Sequence, residues 1–98
     1  MKYNIVISED AYNDLEEIIR YISSNSQYIE TAHKFKKKII DSIFSLSIFP
    51  KRNRVYIISE NNIKYRSLII NSYRIIYYIE NSNVNIIGII HTSQNNTN

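Results

Sequence analysis

The sequence has no cysteine and contains only one glycine and one proline among 98 residues. Without cysteine the chain can form no disulfide, no thiolate metal site and no cysteine nucleophile. Its two histidines, His33 and His91, are far apart, which argues against a histidine-based zinc site. With so little glycine and proline, the turns must use asparagine and serine, whose side chains bond to their own backbone. We therefore expect neither a metal nor a cofactor.

Long apolar runs are also missing. No stretch approaches the ~20 apolar residues that cross a bilayer. The N-terminus lacks the basic region and apolar stretch of a secretory signal. We therefore expect a cytoplasmic protein with no membrane partner. The chain length suits one domain with one core, predicted over residues 1–92, and a polar tail, residues 93–98. The polar stretch from Thr92 to Asn98 is expected to fray.

The charges are unevenly distributed along the chain. The net charge is +3, but residues 1–30 carry two basic and six acidic residues, whereas residues 31–98 carry ten and three. A strongly basic second part indicates an acidic partner, either nucleic acid or an acidic protein segment. The alternative is that the charge serves only solubility.

Periodic apolar residues predict a strand and two helices in the first half. Residues 2–8 alternate and form a strand, and Ser8 then caps an amphipathic helix of about four turns that ends at Ser23-Ser24-Asn25-Ser26. A second helix starts between Ser26 and Thr31. Its apolar positions recur at helical spacing and are Ala32, Phe35, Ile39, Ile43 and Leu46. Pro50 is expected to end this helix and to push Phe49 into extended geometry.

The second half consists of β-branched and aromatic runs separated by short polar breaks. A basic loop, residues 51–54, precedes a strand at 55–58, and three further strands follow at 64–70, 73–80 and 84–91. The predicted fold is α+β with the order β-α-α-β-β-β(-β). An antiparallel sheet packs on one face against a two-helix hairpin.

Two arginines lie within the apolar strands, where their charge must be satisfied. If Asn71-Ser72 forms a two-residue turn, Arg66 stands opposite Tyr77, and Arg74 projects from the other face of the sheet. A one-residue change in the turn would exchange the faces. The face of His91 stays undetermined, because the loop after Glu80 can hold two or three residues.

These arginines have two alternative roles. They can bond to a helix carboxylate or to backbone carbonyls at the strand ends, or they can clamp a phosphate through the bidentate guanidinium. His91 ends the last strand, where it either contacts a substrate or serves the structure. Five further residues are candidates for binding a target or nucleic acid: Lys51, Arg52, Arg54, Lys64 and Tyr73. The sequence has no carboxylate pair, glycine-rich phosphate loop, nucleophile elbow or metal-ligand spacing.

Four segments together resemble toxins of the RelE/ParE superfamily from bacterial type II toxin–antitoxin modules. They are the opening Ile5-Val6-Ile7-Ser8-Glu9-Asp10-Ala11, the pair Tyr65-Arg66-Ser67-Leu68 and Tyr73-Arg74-Ile75-Ile76-Tyr77, and the apolar strand that ends in His91. The resemblance spans nearly the whole chain. It implies the fold derived above and an antitoxin that neutralises the toxin within a hetero-oligomer.

The superfamily has two branches with different targets. ParE-like members inhibit DNA gyrase, whereas RelE-like members cut messenger RNA in the ribosomal A site. The eight-residue step from Arg66 to Arg74 and the terminal His91 look more ParE-like. In the ParE branch basic residues usually follow the histidine that corresponds to His91, and in the RelE branch they follow the last strand. This sequence has Thr92-Ser93-Gln94 there instead.

The resemblance therefore implies a non-enzymatic growth inhibitor that acts on DNA gyrase. The alternative is a ribosome-dependent endoribonuclease acting on mRNA. In that case Arg66 and Arg74 would stabilise the phosphorane, and His91 would act as general acid or base. Tyr73 or Tyr77 would stack on a base.

Overall fold

Residues 2–94 are described by the computed structural model, and they form two helices and five strands. The strands are β1 (Asn4–Ile7), β2 (Val55–Ile58), β3 (Lys64–Ile70), β4 (Tyr73–Glu80) and β5 (Asn83–His91), and the helices are α1 (Glu9–Ser23) and α2 (Ile29–Ser45). Their order confirms the predicted β-α-α-β-β-β-β layout. None of these helices is long and apolar enough to cross a membrane.

The five strands form one sheet in the order β1-β5-β4-β3-β2. The pair β1–β5 is parallel and the other pairs are antiparallel. The hairpin β3–β4 has the predicted two-residue turn, so Ile70 pairs with Tyr73 and Arg66 with Tyr77. Asn71 takes a positive φ of 55° in this turn, a conformation that asparagine adopts more readily than most residues.

Both helices pack on one face of the sheet. The five apolar positions predicted for the second helix are all buried, and with Ala11 and Leu15 of α1 they cover Ile75, Tyr77, Val84, Ile86 and Ile89 of the sheet. Ser8 caps α1 as predicted, since its Oγ accepts the N–H of Ala11 at 3.0 Å. We call the opposite side of the sheet the open face; Ser67, Ile69 and Arg74 lie on it, exposed or half-buried.

A bulge in β5 decides the face of His91. Tyr77 pairs with Ile86 and Ile76 with Gly88, so Ile87 is an extra residue in the ladder. Because side chains alternate along a strand, this extra residue brings His91 opposite Tyr73, on the helix side of the sheet.

The segment between α2 and β2 differs from the prediction. Phe49 is not extended before Pro50 but left-handed, with φ 55° and ψ 55°, and α2 already ends at Ser45. The cause is a tertiary contact, because the chain must reverse to bring Pro50 into the core, where its carbonyl accepts the hydroxyl of Tyr77 at 2.7 Å. A single 3₁₀ turn, Pro50–Arg52, follows.

After β5 the chain continues into another short turn. Thr92–Gln94 forms one turn of 3₁₀ helix, and the N–H of Thr92 donates to the carbonyl of Ser72 at 2.8 Å. The start of the stretch expected to fray is therefore bonded to the sheet. The rest of the predicted tail, residues 95–98, lies outside the described residues.

Asp14 of α1 fastens the helix to the bulge, so its loss should destabilise the fold. Its Oδ2 accepts the N–H of Ile89 at 2.9 Å. We expect Asp14→Ala to lower the free energy of unfolding by about 1 kcal/mol, because it leaves a partly buried N–H without an acceptor. Urea denaturation measures this loss. Asp14→Asn keeps an acceptor oxygen and should lose less, and equal losses in the two variants would contradict the role of this bond.

Candidate functional site

The structure distributes the eight candidate residues over three places. The open-face cleft lies beside β2, β3 and β4, and its polar lining comprises Arg52, Asn53, Arg54, Tyr56, Ser67 and Arg74. The strand-end cleft lies where β3 begins and β4 ends, and its charged lining comprises Lys51, Lys64, Arg66 and Glu80. The helix–strand groove lies between α2 and the ends of β4 and β5, and its lining includes Lys34, Phe35, Lys38, Tyr73 and His91.

Arg66 is occupied by backbone carbonyls. Its Nη1 donates to the carbonyl of Asn53 at 2.6 Å and to that of Lys51 at 3.4 Å. Of the two roles that the sequence left open, this geometry matches carbonyl bonding rather than a phosphate clamp. Arg66 thus fastens the basic loop between α2 and β2 to the sheet.

Tyr77 fastens the same loop from inside the core. The residue is fully buried, and its hydroxyl donates to the carbonyl of Pro50 at 2.7 Å and accepts the side-chain amide of Asn53 at 3.0 Å. Burial raises the pKa of Tyr77 above 10.0, against the bond from Asn53 and the charges of Arg66 and Arg52, which lower it. Its hydroxyl therefore stays protonated at neutral pH and can donate.

Sequence reasoning missed this role of Tyr77 and assigned it only base stacking. A signal was available, because a tyrosine that alternates with isoleucine on the helix side of a strand brings a hydroxyl into the core. Such a hydroxyl needs a hydrogen-bond partner. The partner could not be identified from sequence, since it is a backbone carbonyl 27 residues away.

Arg52 is also engaged by the loop. Its Nη1 donates to the carbonyls of Ser45 and Ile48 at 3.2 and 3.1 Å, and its Nη2 donates to the hydroxyl of Ser45 at 2.7 Å. A cation at the last carbonyls of a helix is favourable for the helix dipole. The guanidinium of Arg52 therefore supports the end of α2.

Arg74 is held on the open face in an environment that lacks a counter-charge. Its Nη1 donates to the hydroxyl of Ser67 at 2.7 Å, and its guanidinium carbon lies 4.3 Å from the centre of the Tyr56 ring. Its Nε is buried and has no hydrogen-bond partner within residues 2–94. No carboxylate is among the residues that line the open-face cleft.

This arrangement can bind an anion. The hydroxyl of Ser67 and the ring of Tyr56 fix the guanidinium before a ligand arrives, and its remaining donors match a carboxylate or a phosphate. Arg54 and Arg52 add two exposed cations to the same cleft, which holds the half-buried Arg74. The lining contains no histidine and no carboxylate, and its one phenol belongs to Tyr56, whose ring lies against Arg74. This arrangement matches anion binding.

His91 lies in the helix–strand groove, at a distance from both arginines. Its ring meets Tyr73 edge-on with centroids 5.1 Å apart, and Tyr73 in turn contacts Phe35 at 5.3 Å. Nδ1 of His91 accepts the backbone N–H of Ser93 at 3.1 Å and lies 2.7 Å from its hydroxyl. The imidazole is thus oriented by β4 and by the turn after β5.

The three candidate catalytic residues are not brought together. Along β4, Arg66 lies opposite Tyr77 and His91 opposite Tyr73, and four residues of a strand span roughly 13 Å. Arg74 projects from the other face of the sheet. Three of the candidate binding residues, Lys51, Arg54 and Lys64, are exposed on or near the loop.

The basic charge of the second half is largely uncompensated within residues 2–94. The ion pairs found there join Lys34 to Glu30, Lys36 to Glu16 and Lys37 to Asp41, and all involve helix lysines. Over the same residues no three histidine, aspartate or glutamate side chains are grouped as a metal site would require. The exposed side chains of Lys51, Arg54 and Lys64 thus remain available to an acidic partner.

Comparison with known proteins identifies related sequences and folds. The family model described as the ParE toxin of the type II toxin–antitoxin system, parDE, matches residues 5–96. No curated protein matches the sequence significantly.

Solved structures share the fold at low sequence identity. A chain of the chromosomal ParDE toxin–antitoxin system from P. aeruginosa is 16% identical with a TM-score of 0.75, and the match covers 92% of this chain and 96% of that one. A chain of the RelBE2 toxin–antitoxin complex from Mycobacterium tuberculosis is 18% identical with a TM-score of 0.66, over 93% and 99% of the two chains. A conserved hypothetical protein from Helicobacter pylori is 11% identical with a TM-score of 0.52, over 93% and 96%.

Proposed function

Because the chain belongs to the ParE toxin family of type II toxin–antitoxin systems, we propose that it inhibits growth by binding DNA gyrase. We further propose that a cognate antitoxin neutralises it in a hetero-oligomer. Family membership confirms the resemblance found in the sequence, including its closer likeness to the ParE branch. The proposal goes beyond family membership in two respects: it names gyrase as the target, and it assigns this chain a neutralising antitoxin.

The observation that carries the gyrase proposal is the separation of the candidate catalytic residues. Arg66 bonds to loop carbonyls, Arg74 lies on the open face, and His91 lies on the helix side near the other end of β4. General acid–base catalysis requires such groups to be within hydrogen-bond reach of one substrate. Their separation supports inhibition by binding over cleavage by this chain.

We propose that the antitoxin binds in the open-face cleft. Arg74 has a buried Nε to which no group of residues 2–94 bonds, and Ile69, its direct neighbour on β3, is an exposed apolar side chain. An extended segment with a carboxylate beside an apolar residue could bond to Arg74 and cover Ile69. Since β2 is an edge of the sheet, that segment could also pair with its backbone as an added strand.

Gyrase and messenger RNA can be tested separately. We expect the purified toxin to stop DNA supercoiling by purified gyrase, and the antitoxin to restore it. In cells, induction of the toxin should trigger the DNA-damage response while mRNA remains intact. Primer extension on mRNA from these cells is the opposing measurement, and discrete ribosome-phased cuts would contradict the gyrase proposal.

One feature of the open-face cleft favours ribosome-dependent mRNA cleavage as a second candidate function. The guanidinium of Arg74 matches a phosphate as well as a carboxylate, and the nearby ring of Tyr56 can stack on a base. In this function the cleft lining offers neither histidine nor carboxylate, so the phenol of Tyr56 or a group of the ribosome would have to transfer the proton. Toxicity without gyrase inhibition, together with mRNA cuts, would support it.

A further inference from the structure

Three large apolar side chains project into solvent where α2 ends. Phe44 is 52% exposed, Ile48 53% and Phe49 75%. They follow one another through two overlapping turns, in which the N–H of Ser47 bonds to the carbonyl of Phe44 and that of Ile48 to the carbonyl of Ser45. None of the three lines the clefts or the groove described above. We call them the anchor patch; clustered exposed apolar residues of this kind mark interaction sites.

Phe49 is the unusual member of the anchor patch. It is left-handed at φ 55°, a conformation that glycine adopts without strain and that is rare for a bulky aromatic residue. Its ring gains little from the core, because three quarters of it is exposed. The reversal at this position brings Pro50 into the core, but it does not require an aromatic side chain at position 49. Strained backbone is concentrated at sites of function, and the side chain kept at this strained position is an exposed aromatic ring.

The backbone that presents Phe49 is held on both sides. Before it, the carbonyl of Ile48 accepts from Arg52. After it, Pro50 is buried and its carbonyl accepts the hydroxyl of Tyr77. An anchor that is fixed before binding loses less conformational entropy when the complex forms.

The surroundings of the patch are basic. Lys51, Arg52 and Arg54 follow directly in the chain and are exposed. The nearest acid on α2, Asp41, is already paired with Lys37 at 2.8 Å. A partner that complements this surface must combine an apolar pocket with carboxylates around it.

We propose that the anchor patch docks this toxin onto its cellular target, a folded protein whose apolar pocket receives Phe49 and is bordered by carboxylates. The inference rests on the proposed function, since it assumes that the chain acts by binding a protein. The target is favoured over the antitoxin because the patch projects. A projecting aromatic ring fits a pocket on a folded partner, whereas an extended antitoxin segment fits the concave open-face cleft.

The test compares Phe49→Gly with Tyr21→Ala. Glycine keeps the left-handed backbone and removes the ring, and Tyr21 on α1 is a matched aromatic at 76% exposure. Phe49→Gly should bind purified DNA gyrase about 10-fold more weakly and lose growth arrest, and its Tm should be within about 3 °C of the wild type or higher. Tyr21→Ala should keep wild-type binding and arrest.

Charge substitutions at Ile48 test whether carboxylates of the partner surround its apolar pocket and form a carboxylate rim. Ile48→Glu places a carboxylate where the partner's carboxylates are inferred, and Ile48→Lys places a cation there. The glutamate variant should lose more gyrase affinity and more growth arrest than the lysine variant. Equal losses, or the reverse order, would overturn the inferred carboxylate rim.

Several outcomes would overturn the anchor patch itself. They are wild-type growth arrest by Phe49→Gly, a fall in its Tm of more than about 5 °C, loss of arrest in Tyr21→Ala, and loss of binding of Phe49→Gly to the cognate antitoxin. The proposed function fails in a different way. If the wild-type toxin arrests growth without binding gyrase, only the choice of gyrase is wrong. The anchor patch is then still tested by comparing growth arrest by Phe49→Gly with growth arrest by the wild type. If the wild type arrests no growth, both proposals are overturned.

Discussion

Tyr77→Phe is expected to lower the free energy of unfolding by about 2–3 kcal/mol although it removes one oxygen atom. The hydroxyl donates to the carbonyl of Pro50 and accepts from Asn53. Its loss leaves both groups without this partner in a site that the phenylalanine ring still covers, and each unsatisfied buried polar group costs about 1–3 kcal/mol. Urea denaturation monitored by far-UV circular dichroism measures the change.

Tyr78→Phe is the matched control for this substitution. Tyr78 is the next residue of β4, projects to the open face and contacts Tyr65 through its ring, with centroids 5.7 Å apart. Tyr78 is only half-buried, and losing its hydroxyl should change stability by less than about 0.5 kcal/mol. Equal losses for Tyr77→Phe and Tyr78→Phe would show that the bonds of Tyr77 do not stabilise the loop.

The difference in stability between the wild type and Tyr77→Phe should depend on pH in alkaline solution. The folded-state pKa of Tyr77 is raised above 10.0, so the unfolded chain loses this proton first as the pH rises. The contribution of Tyr77 is therefore complete below about pH 10 and is lost as the pH rises through the folded-state pKa, at up to about 1.4 kcal/mol per pH unit. The stability advantage of the wild type over Tyr77→Phe should shrink over that range. An advantage that stays constant would contradict the raised pKa.

The sequence left the faces of the two arginines conditional on the length of one short turn, and the structure has the two-residue turn. Asn71-Ser72 sets the pairing of β3 with β4, and side-chain alternation then places Arg66 and Arg74 on opposite faces. The face of His91 could not be predicted in this way. It depends on the extra residue Ile87, and the contacts that adjoin this bulge, from Ser8 and Asp14, come from the other end of the chain.

Sequence reasoning predicted the wrong conformation for Phe49 and left the role of Arg66 open between two alternatives, for a related reason. Local preference before proline favours extended backbone, but the buried bond between Tyr77 and Pro50 requires a reversal there. Arg66 is satisfied by carbonyls of the loop, and backbone acceptors carry no sequence signature. Sequence patterns thus predicted the elements and the core of this fold, whereas the candidate site depends on how one loop is tied to the sheet.

Arg74→Ala is expected to weaken antitoxin binding by about 100- to 1,000-fold. In the proposed complex a carboxylate of the antitoxin pairs with a guanidinium that Ser67 and Tyr56 already hold in place. Truncating one partner of a buried, hydrogen-bonded charge pair costs about 2–5 kcal/mol. Isothermal titration calorimetry of the two purified proteins measures the affinity, and thermal unfolding checks that the variant is folded.

Arg20→Ala is the control, since it removes one arginine from exposed α1 surface and gives the same net charge. It should bind the antitoxin as tightly as the wild type. Arg74→Lys should be intermediate, because lysine keeps the charge but loses the planar fork. If Arg74→Ala and Arg20→Ala bind equally well, the open-face cleft is not the seat of the antitoxin.

Growth arrest by Arg74→Ala in cells without antitoxin separates the two candidate functions. If the toxin acts by binding gyrase through the anchor patch, this variant still arrests growth, because Arg74 lies on the open face and the patch is unchanged. Coexpressed antitoxin then fails to rescue the cells. If the toxin cleaves mRNA, Arg74 would stabilise the phosphorane, and the variant loses both cleavage and growth arrest. One substitution thus yields a toxin that escapes its antitoxin under the first function and an inactive toxin under the second.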